Sequence, residues 1–264
     1  MANPVLLKEF RTRLRSKKNR TIQLAIGIPA AVVILLSYIR LLVGMFSIKH
    51  ENGEIWLACA MLQLGIMSFI TPGLLANAIT QEKEQRTWGL LLITRLSSWQ
   101  IISGKLFARL VPIPIIMVLF VPFMAFSAKA AHMRWQVMAG TYGILFAALL
   151  LFAIQALFWS WLLKRTSSAT AASYGLVFLL TIGTYVVNEL IKSMHRYSSD
   201  SAVLCFNPFY VLARVTDTSG TPGWGYVTPM DAMNQMTIFL YAYVSVSLIM
   251  LVVMKGWLGR TQTD

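Results

Sequence analysis

The chain has 264 residues, of which 57% are hydrophobic and only 12% charged, and its mean hydropathy is +0.64. Soluble domains carry about 25% charged residues, so half that share, with long apolar runs, excludes an ordinary water-soluble enzyme or binding domain. The net charge of +13 would point to nucleic acid in a soluble protein. Spread around apolar runs it is instead a topology signal, and nucleic acid is not an expected partner.

The runs predict an all-α membrane protein: six transmembrane helices in one domain over 1–264, with no sizeable soluble part. Crossing the hydrocarbon takes about 20 apolar residues as helix. Six runs meet or nearly meet that length: Thr21–Ile39, Ile55–Gln81, Leu110–Ala128, Trp135–Leu163, Thr166–Asn188 and Ala232–Met254. A membrane barrel would show alternating segments of about ten residues. With both termini on one side, sixteen of the 23 Lys and Arg fall on that side and six on the other, Arg40 lying within a span. Basic residues mark the cytoplasmic face, so both termini are expected to be cytoplasmic.

Residues 1–20 set Val5, Leu6, Phe10 and Leu14 against Lys8, Arg11, Arg15 and Lys18. That fits an N-terminal interfacial helix on the inner leaflet; a frayed positive-inside tail is the alternative. The first span contains Pro29 and ends at Arg40, which either snorkels to the outer interface or contacts a substrate or acidic partner. This run is long for a signal sequence and lacks a small-residue cleavage pattern, so it reads as a retained helix. The second span carries Gln63, Ser68, Thr71, Pro72, Gly73 and Asn77. Small and polar residues in a membrane helix mark helix contacts or a pathway, and Thr71-Pro72-Gly73 should bend the helix near its inner half. Arg40, Gln63, Thr71, Pro72, Gly73 and Asn77 are the pathway or hinge candidates. The bend reads equally as a gate hinge or a static kink.

From Gln81 to Arg109 the chain is dense in charge yet not a plain polar loop. Trp88, Leu91, Leu92, Trp99 and Ile102 recur at roughly helical spacing, with Arg86, Arg95 and Lys105 among them. This pattern fits a helix lying in the interface. Ser97-Ser98-Trp99-Gln100 reads as a capping box, so a break at Leu96–Ser98 and a new helix into the third span are expected. Pro112, Pro114 and Pro122 should distort that span. The fourth ends in Trp159, Trp161, Lys164 and Arg165, an inner interfacial belt. The fifth ends at Asn188 and Glu189, the latter read as a solvated outer acid rather than a buried proton carrier. Residues 192–231 form the only long connection. Within it Ala202–Val215 is apolar enough to dip into the outer interface but too short to cross. Lys255, Trp257 and Arg260 anchor the sixth span.

Two stretches carry a family resemblance. Glu82-Lys83-Glu84-Gln85-Arg86-Thr87, then Leu90-Leu91-Leu92, Thr94, Leu96-Ser97 and Gly104-Lys105-Leu106, resembles the segment after the second span of type-2 ABC transporter permeases. Asn3-Pro4-Val5-Leu6-Leu7-Lys8-Glu9-Phe10-Arg11 is similar to the same family's cytoplasmic start. The resemblance implies that residues 81–104 hold an amphipathic coupling helix between spans two and three. It would dock on a separate ABC ATPase through Glu82, Glu84, Arg86, Thr87, Leu91 and Arg95. Solvated inner-loop charge is the plain alternative for these residues. The resemblance further implies re-entrant or surface helices near Asn207-Pro208 and a second permease copy or paralogue. ATP and Mg would be held by the partner ATPase and no cofactor by this chain. It also implies export, in a bacterial or archaeal plasma membrane. The apolar spans with scattered Ser, Thr, Asn, Gln and Tyr would suit a hydrophobic or amphiphilic cargo.

ATP hydrolysis needs a G-x-x-x-x-G-K-[ST] loop. At the one Gly-Lys pair, Gly104-Lys105, Trp99 fills the first glycine position and Leu106 the hydroxyl position. There is no H-E-x-x-H, C-x-x-C or G-x-S-x-G. His50, His132 and His195 fall on the outer side as scattered polar surface, and Cys59 and Cys205 are not expected to pair. No acid lies within a span, which disfavours proton coupling. The chain is expected not to be an enzyme. Two further readings stay open: a membrane-embedded lipid-modifying enzyme, for which no convergent reactive groups are found, and a non-transporting membrane anchor of an ABC-type complex.

Overall fold

The computed structural model describes residues 53–89, 97–130, 133–195, 201–216 and 229–260. The N-terminal interfacial helix, the first expected span with Arg40, and the segment with Leu91 and Arg95 lie outside them. The described residues form α1 (Gly53–Leu75), α2 (Thr80–Glu84), α3 (Ser98–Leu110), α4 (Pro112–Ala130), α5 (Trp135–Leu162), α6 (Thr166–Phe178), α7 (Thr184–His195), α8 (Pro208–Thr216) and α9 (Pro229–Arg260). A π-helical turn, Leu179–Gly183, joins α6 to α7, and a 3-10 turn, Ala202–Phe206, precedes α8. No strand occurs among the described residues.

Among the described residues, four stretches are long and apolar enough to cross a membrane: Trp56–Glu84, Trp135–Leu162, Thr166–Met194 and Met233–Trp257. They match the second, fourth, fifth and sixth expected spans. The third, Leu110–Ala128, becomes the 19-residue α4, set off from α3 at Val111. Pro112 explains the restart: its missing N–H falls where a new helix has no acceptor for it anyway. The fifth runs past its expected end at Asn188 to His195. Its last turns are amphipathic, with an exposed Glu189 3.6 Å from Lys192, so solvated charge carries the helix beyond the apolar run.

At the centre stands α5, apolar on every side and buried along most of its length through Ile144, Leu145, Ala148, Phe152, Ala156 and Leu157. A helix without a polar face belongs inside, and α1, α6, α8 and α9 all pack on it. At Gly140 a Cβ would lie 2.9 Å from Met236 Sδ and 3.1 Å from Val215 Cγ1. The missing side chain lets α8 and α9 close on α5 there.

Two hydrogen-bonded pins fix α1 against α5. Near one end the Trp56 indole donates to Thr141 Oγ1 at 3.1 Å. Near the other, the amides of Ile79 and Thr80 donate to Ser160 Oγ at 2.8 and 3.1 Å. Residue numbers rise together from one pin to the next, so the two helices run parallel. The outward faces of α6, α7 and α9 are apolar, with Phe178, Ile182, Leu190, Tyr241, Ile249 and Val252 exposed. Such surface is rare in water-soluble monomers and suits lipid tails.

Candidate functional site: a brace at the basic end and a polar stretch of α1

The end of the bundle where α1 and α5 stop gathers Lys83, Arg86, Lys105, Arg109, Lys164, Arg165 and Lys255. Much of this charge serves helix ends. The last carbonyls of a helix have no intrahelical donor, and cations satisfy them with help from the helix dipole. Lys83 Nζ donates to the Trp161 carbonyl and, at 3.2 Å, to that of Leu163, closing the end of α5. Its neighbour Glu84 accepts from the Thr166 amide at 2.7 Å, at the start of α6. Two consecutive side chains of α2 thus seal one helix end and the next helix start. Thr166 also donates to Thr80 Oγ1 at 3.1 Å.

The return side is built likewise. Lys105, 1% exposed on α3, donates to the Ala78 carbonyl at 3.0 Å and lies 2.7 Å from Glu82. One turn on, Arg109 Nη1 donates to the Leu74 carbonyl at 2.9 Å and to Asn77 Oδ1. The capping box that starts α3 is present: the Gln100 amide donates to Ser97 Oγ at 3.3 Å and the Ser97 amide to Gln100 Oε1 at 3.0 Å. Glu82 and Glu84 therefore do more than project as solvated loop charges; each ties α2 to another part of the bundle.

Arg86 is different. It is exposed, and at φ 57° it is the only non-glycine residue at positive φ among those described. The Arg86 amide donates to the Lys83 carbonyl at 3.1 Å and the Thr87 amide to the Glu82 carbonyl at 2.9 Å. These are the two bonds of a Schellman stop, in which the left-handed position normally holds glycine. An L-residue there costs about 1–2 kcal/mol. The fold pays for a guanidinium at this exposed corner.

Within the bundle, Pro72 sits inside α1. Tyr174 of α6 donates its hydroxyl to the Phe69 carbonyl at 2.8 Å, and a Cβ on Gly73 would lie 2.8 Å from that hydroxyl. Gly73 is what allows α6 to approach α1 this closely beside Pro72. Gly73→Ala is expected to destabilise by about 1–3 kcal/mol through overpacking, read as a lowered thermal midpoint in detergent. Adding Tyr174→Phe removes the clashing atom and should recover most of the loss; no recovery would place the strain elsewhere. Gln63 is 1% exposed and neither of its amide atoms finds a partner among the described residues. Thr71 Oγ1, fully buried, finds none either. Asn77 lies at the brace, on Arg109. Of the pathway or hinge candidates, Thr71, Pro72 and Gly73 are together and Gln63 stands two turns away.

At the opposite end α8 is buried among α1, α5 and α9, and the 3-10 turn before it, with Leu204 and Cys205 buried, packs on α7 and α9. Asn207, fully buried, organises them. Its Nδ2 donates to the Thr181 carbonyl at 2.6 Å and to Thr184 Oγ1 at 2.8 Å, holding the π-helical turn. Its Oδ1 accepts from the Phe209 and Tyr210 amides at 2.9 and 3.3 Å, capping α8. Asn188 Oδ1 holds the Ser201 amide and hydroxyl at 2.9 and 2.8 Å, and Tyr243 donates to the Phe206 carbonyl at 2.7 Å. Burial pushes the Cys205 thiol up, with the Arg214 charge opposing it. That leaves it protonated and a poor nucleophile at neutral pH. Cys59 and Cys205 are both free, and no group of His, Cys, Asp and Glu among the described residues could hold a metal.

Sequence reasoning met Lys83, Lys105 and Arg109 only as part of a charged stretch and gave them no site role, and it passed over Ser160, Tyr174 and Gln155. For Lys105 and Arg109 a signal existed: they stand four apart on α3 and share its buried side with Ile101, Ile102 and Leu106. The chain matches no protein-family model and no curated protein. The class that fold and site define is an all-helical protein with, among the described residues, four helices able to span a membrane.

Proposed function

We propose that this chain is the permease subunit of an ATP-driven ABC transporter, with its basic end facing the cytoplasm of a bacterial or archaeal cell. It works as a dimer with a second permease copy or paralogue. Separate ATPase subunits bind ATP and Mg, and the cargo exported is hydrophobic or amphiphilic. The observation that supports this reading best is the brace. Through Lys83, Glu84, Glu82–Lys105 and the Ser160 pin, the short segment after α1 is fastened to α3, α5 and α6. A push delivered there reaches several helices at once instead of being absorbed by a slack loop. Arg86, exposed at the tip in a conformation that costs stability, adds to it, since strain kept at one residue marks a functional constraint.

The direct test is affinity purification in mild detergent with identification of what comes along. A stoichiometric ATPase carrying a phosphate-binding loop is expected; its absence under conditions that keep other ABC complexes intact would return the chain to the anchor or enzyme readings. Arg86→Gly separates fold from docking. It is expected to raise stability by about 1 kcal/mol, because glycine relieves the left-handed strain, while lowering the ATPase recovered. Full ATPase recovery with Arg86→Gly would remove Arg86 from the docking contact.

A further inference from the structure

We propose that α1 holds a bound water molecule beside Pro72, on Thr71 of α1 and Gln155 of α5. The inference stands apart from the transport reading. The pins at Trp56–Thr141 and Ile79–Ser160 set α1 and α5 parallel and in register, which brings Thr71 and Gln155 to a similar depth. Two cross-links from α6 mark the same level: Gln155 Nε2 donates to the Ser173 carbonyl at 3.4 Å, and the next residue, Tyr174, bonds to the Phe69 carbonyl. Thr71, Gln155 and Ser173 are all fully buried.

Two side-chain polar atoms at this level are left over, and a carbonyl beside them loses its usual donor. Gln155 Oε1 and Thr71 Oγ1 have no partner among the described residues. Pro72 has no N–H, so the Ser68 carbonyl lacks the intrahelical donor that residue 72 would otherwise give it. A threonine inside a helix can bond the carbonyl four residues back, as Ser68 does to Leu64 at 2.7 Å, yet Thr71 does not. Inside a bilayer such orphaned groups are costly and need internal partners. The leftovers are neutral and acceptor-rich, two carbonyl oxygens and one hydroxyl. That set matches a small neutral O–H donor and offers the two to four partners that a buried water uses; with no formal charge present, it does not select an ion. Water here would also replace the helix bond that Pro72 removes.

The test is X-ray radiolytic footprinting of the purified full-length protein in detergent without cargo, read by mass spectrometry. Radiolysis activates water itself, so only a water-bearing site labels its neighbours. Met67, one turn from Thr71 and 2% exposed, is the reporter; Met124 and Met254, 1% and 0% exposed, are buried controls. Met67 is expected to be oxidised several-fold faster than either control, and Thr71→Val with Gln155→Leu should bring it down to their level. Equal labelling of all three methionines overturns the inference, and so does a fast Met67 that the double variant leaves fast. Should the double variant not assemble, the volume-conserving Thr71→Val alone decides. In a dry site it raises the thermal midpoint by removing an orphaned hydroxyl; in a hydrated one it lowers both the midpoint and the Met67 label.

Discussion

Asn207→Ala should lower stability by about 2–4 kcal/mol, more than substitutions elsewhere in the long connection. Losing a helix cap costs about 1 kcal/mol, and a buried polar group left without its partner costs about 1–3 kcal/mol. Both apply at once. The side chain, itself fully buried, caps α8 through its oxygen and holds the Thr181 carbonyl and the Thr184 hydroxyl through its nitrogen. Asn207→Asp distinguishes the two halves. It keeps an oxygen for the Phe209 and Tyr210 amides but turns a carboxylate towards the Thr181 carbonyl, so it should be no better than alanine if the π-helical turn matters. Thermal unfolding in detergent reads both. An aspartate variant close to wild type would mean that the cap alone carries the effect. The π-helical turn itself should show faster amide exchange in either variant, since π segments interrupt regular bonding.

Lys105→Met is the second large change, with an expected loss of about 2–4 kcal/mol. Removing one partner of a fully buried ion pair costs about 3–5 kcal/mol; Glu82 is 24% exposed, so water compensates part of the loss. Methionine fills the volume but gives nothing to Glu82 or the Ala78 carbonyl. Combining it with Glu82→Gln should recover part of the loss, because the stranded charge is then gone, and the shortfall from additivity measures the pair. Strict additivity would deny that the contact matters energetically. Salt should not mimic the mutation, since burial on the lysine side limits screening. In the transport reading, a protein that still assembles with its ATPase but carries Lys105→Met should lose coupling, because α3 is no longer fastened beneath α1.

Much of the fold can be read along the chain because its cause is local. Twenty or so apolar residues in a row leave the backbone no choice in a bilayer but a helix, so Trp135–Leu162 and the later part of the chain lie where the apolar runs put them. The capping box at Ser97–Gln100 is equally local: both of its bonds join residues three apart. The end of the fifth helix was misplaced at Asn188 because the apolar run stops there, whereas the helix continues on solvated charge and Asn188 turns to Ser201, thirteen residues on.

The candidate site is less legible, for a reason visible in its bonds. Charge at the basic end is apparent from composition, but what each charge does depends on which helix end lies opposite. Glu84 caps a helix that begins 82 residues later in sequence, and Lys83 reaches carbonyls 78 and 80 residues away. Neither pattern nor spacing along one strand of sequence contains those partners. The positive φ of Arg86 is likewise invisible, since glycine is the residue that would have announced it.

Taken by itself, the sequence determined the membrane-type helical class, the lie of the later apolar helices and the capping box, because each follows from groups adjacent in the chain and from the solvent they must face. Tertiary structure alone decided that α5 is the hub, that Lys83, Glu84, Lys105 and Arg109 serve helix ends, that Tyr174 closes on α1 at Gly73, and that Asn207 joins the buried α8 to the π-helical turn. These are settled by unmet hydrogen-bonding groups finding partners in space. Where lipid is the surrounding solvent, such partners must come from the protein itself or from water trapped within it.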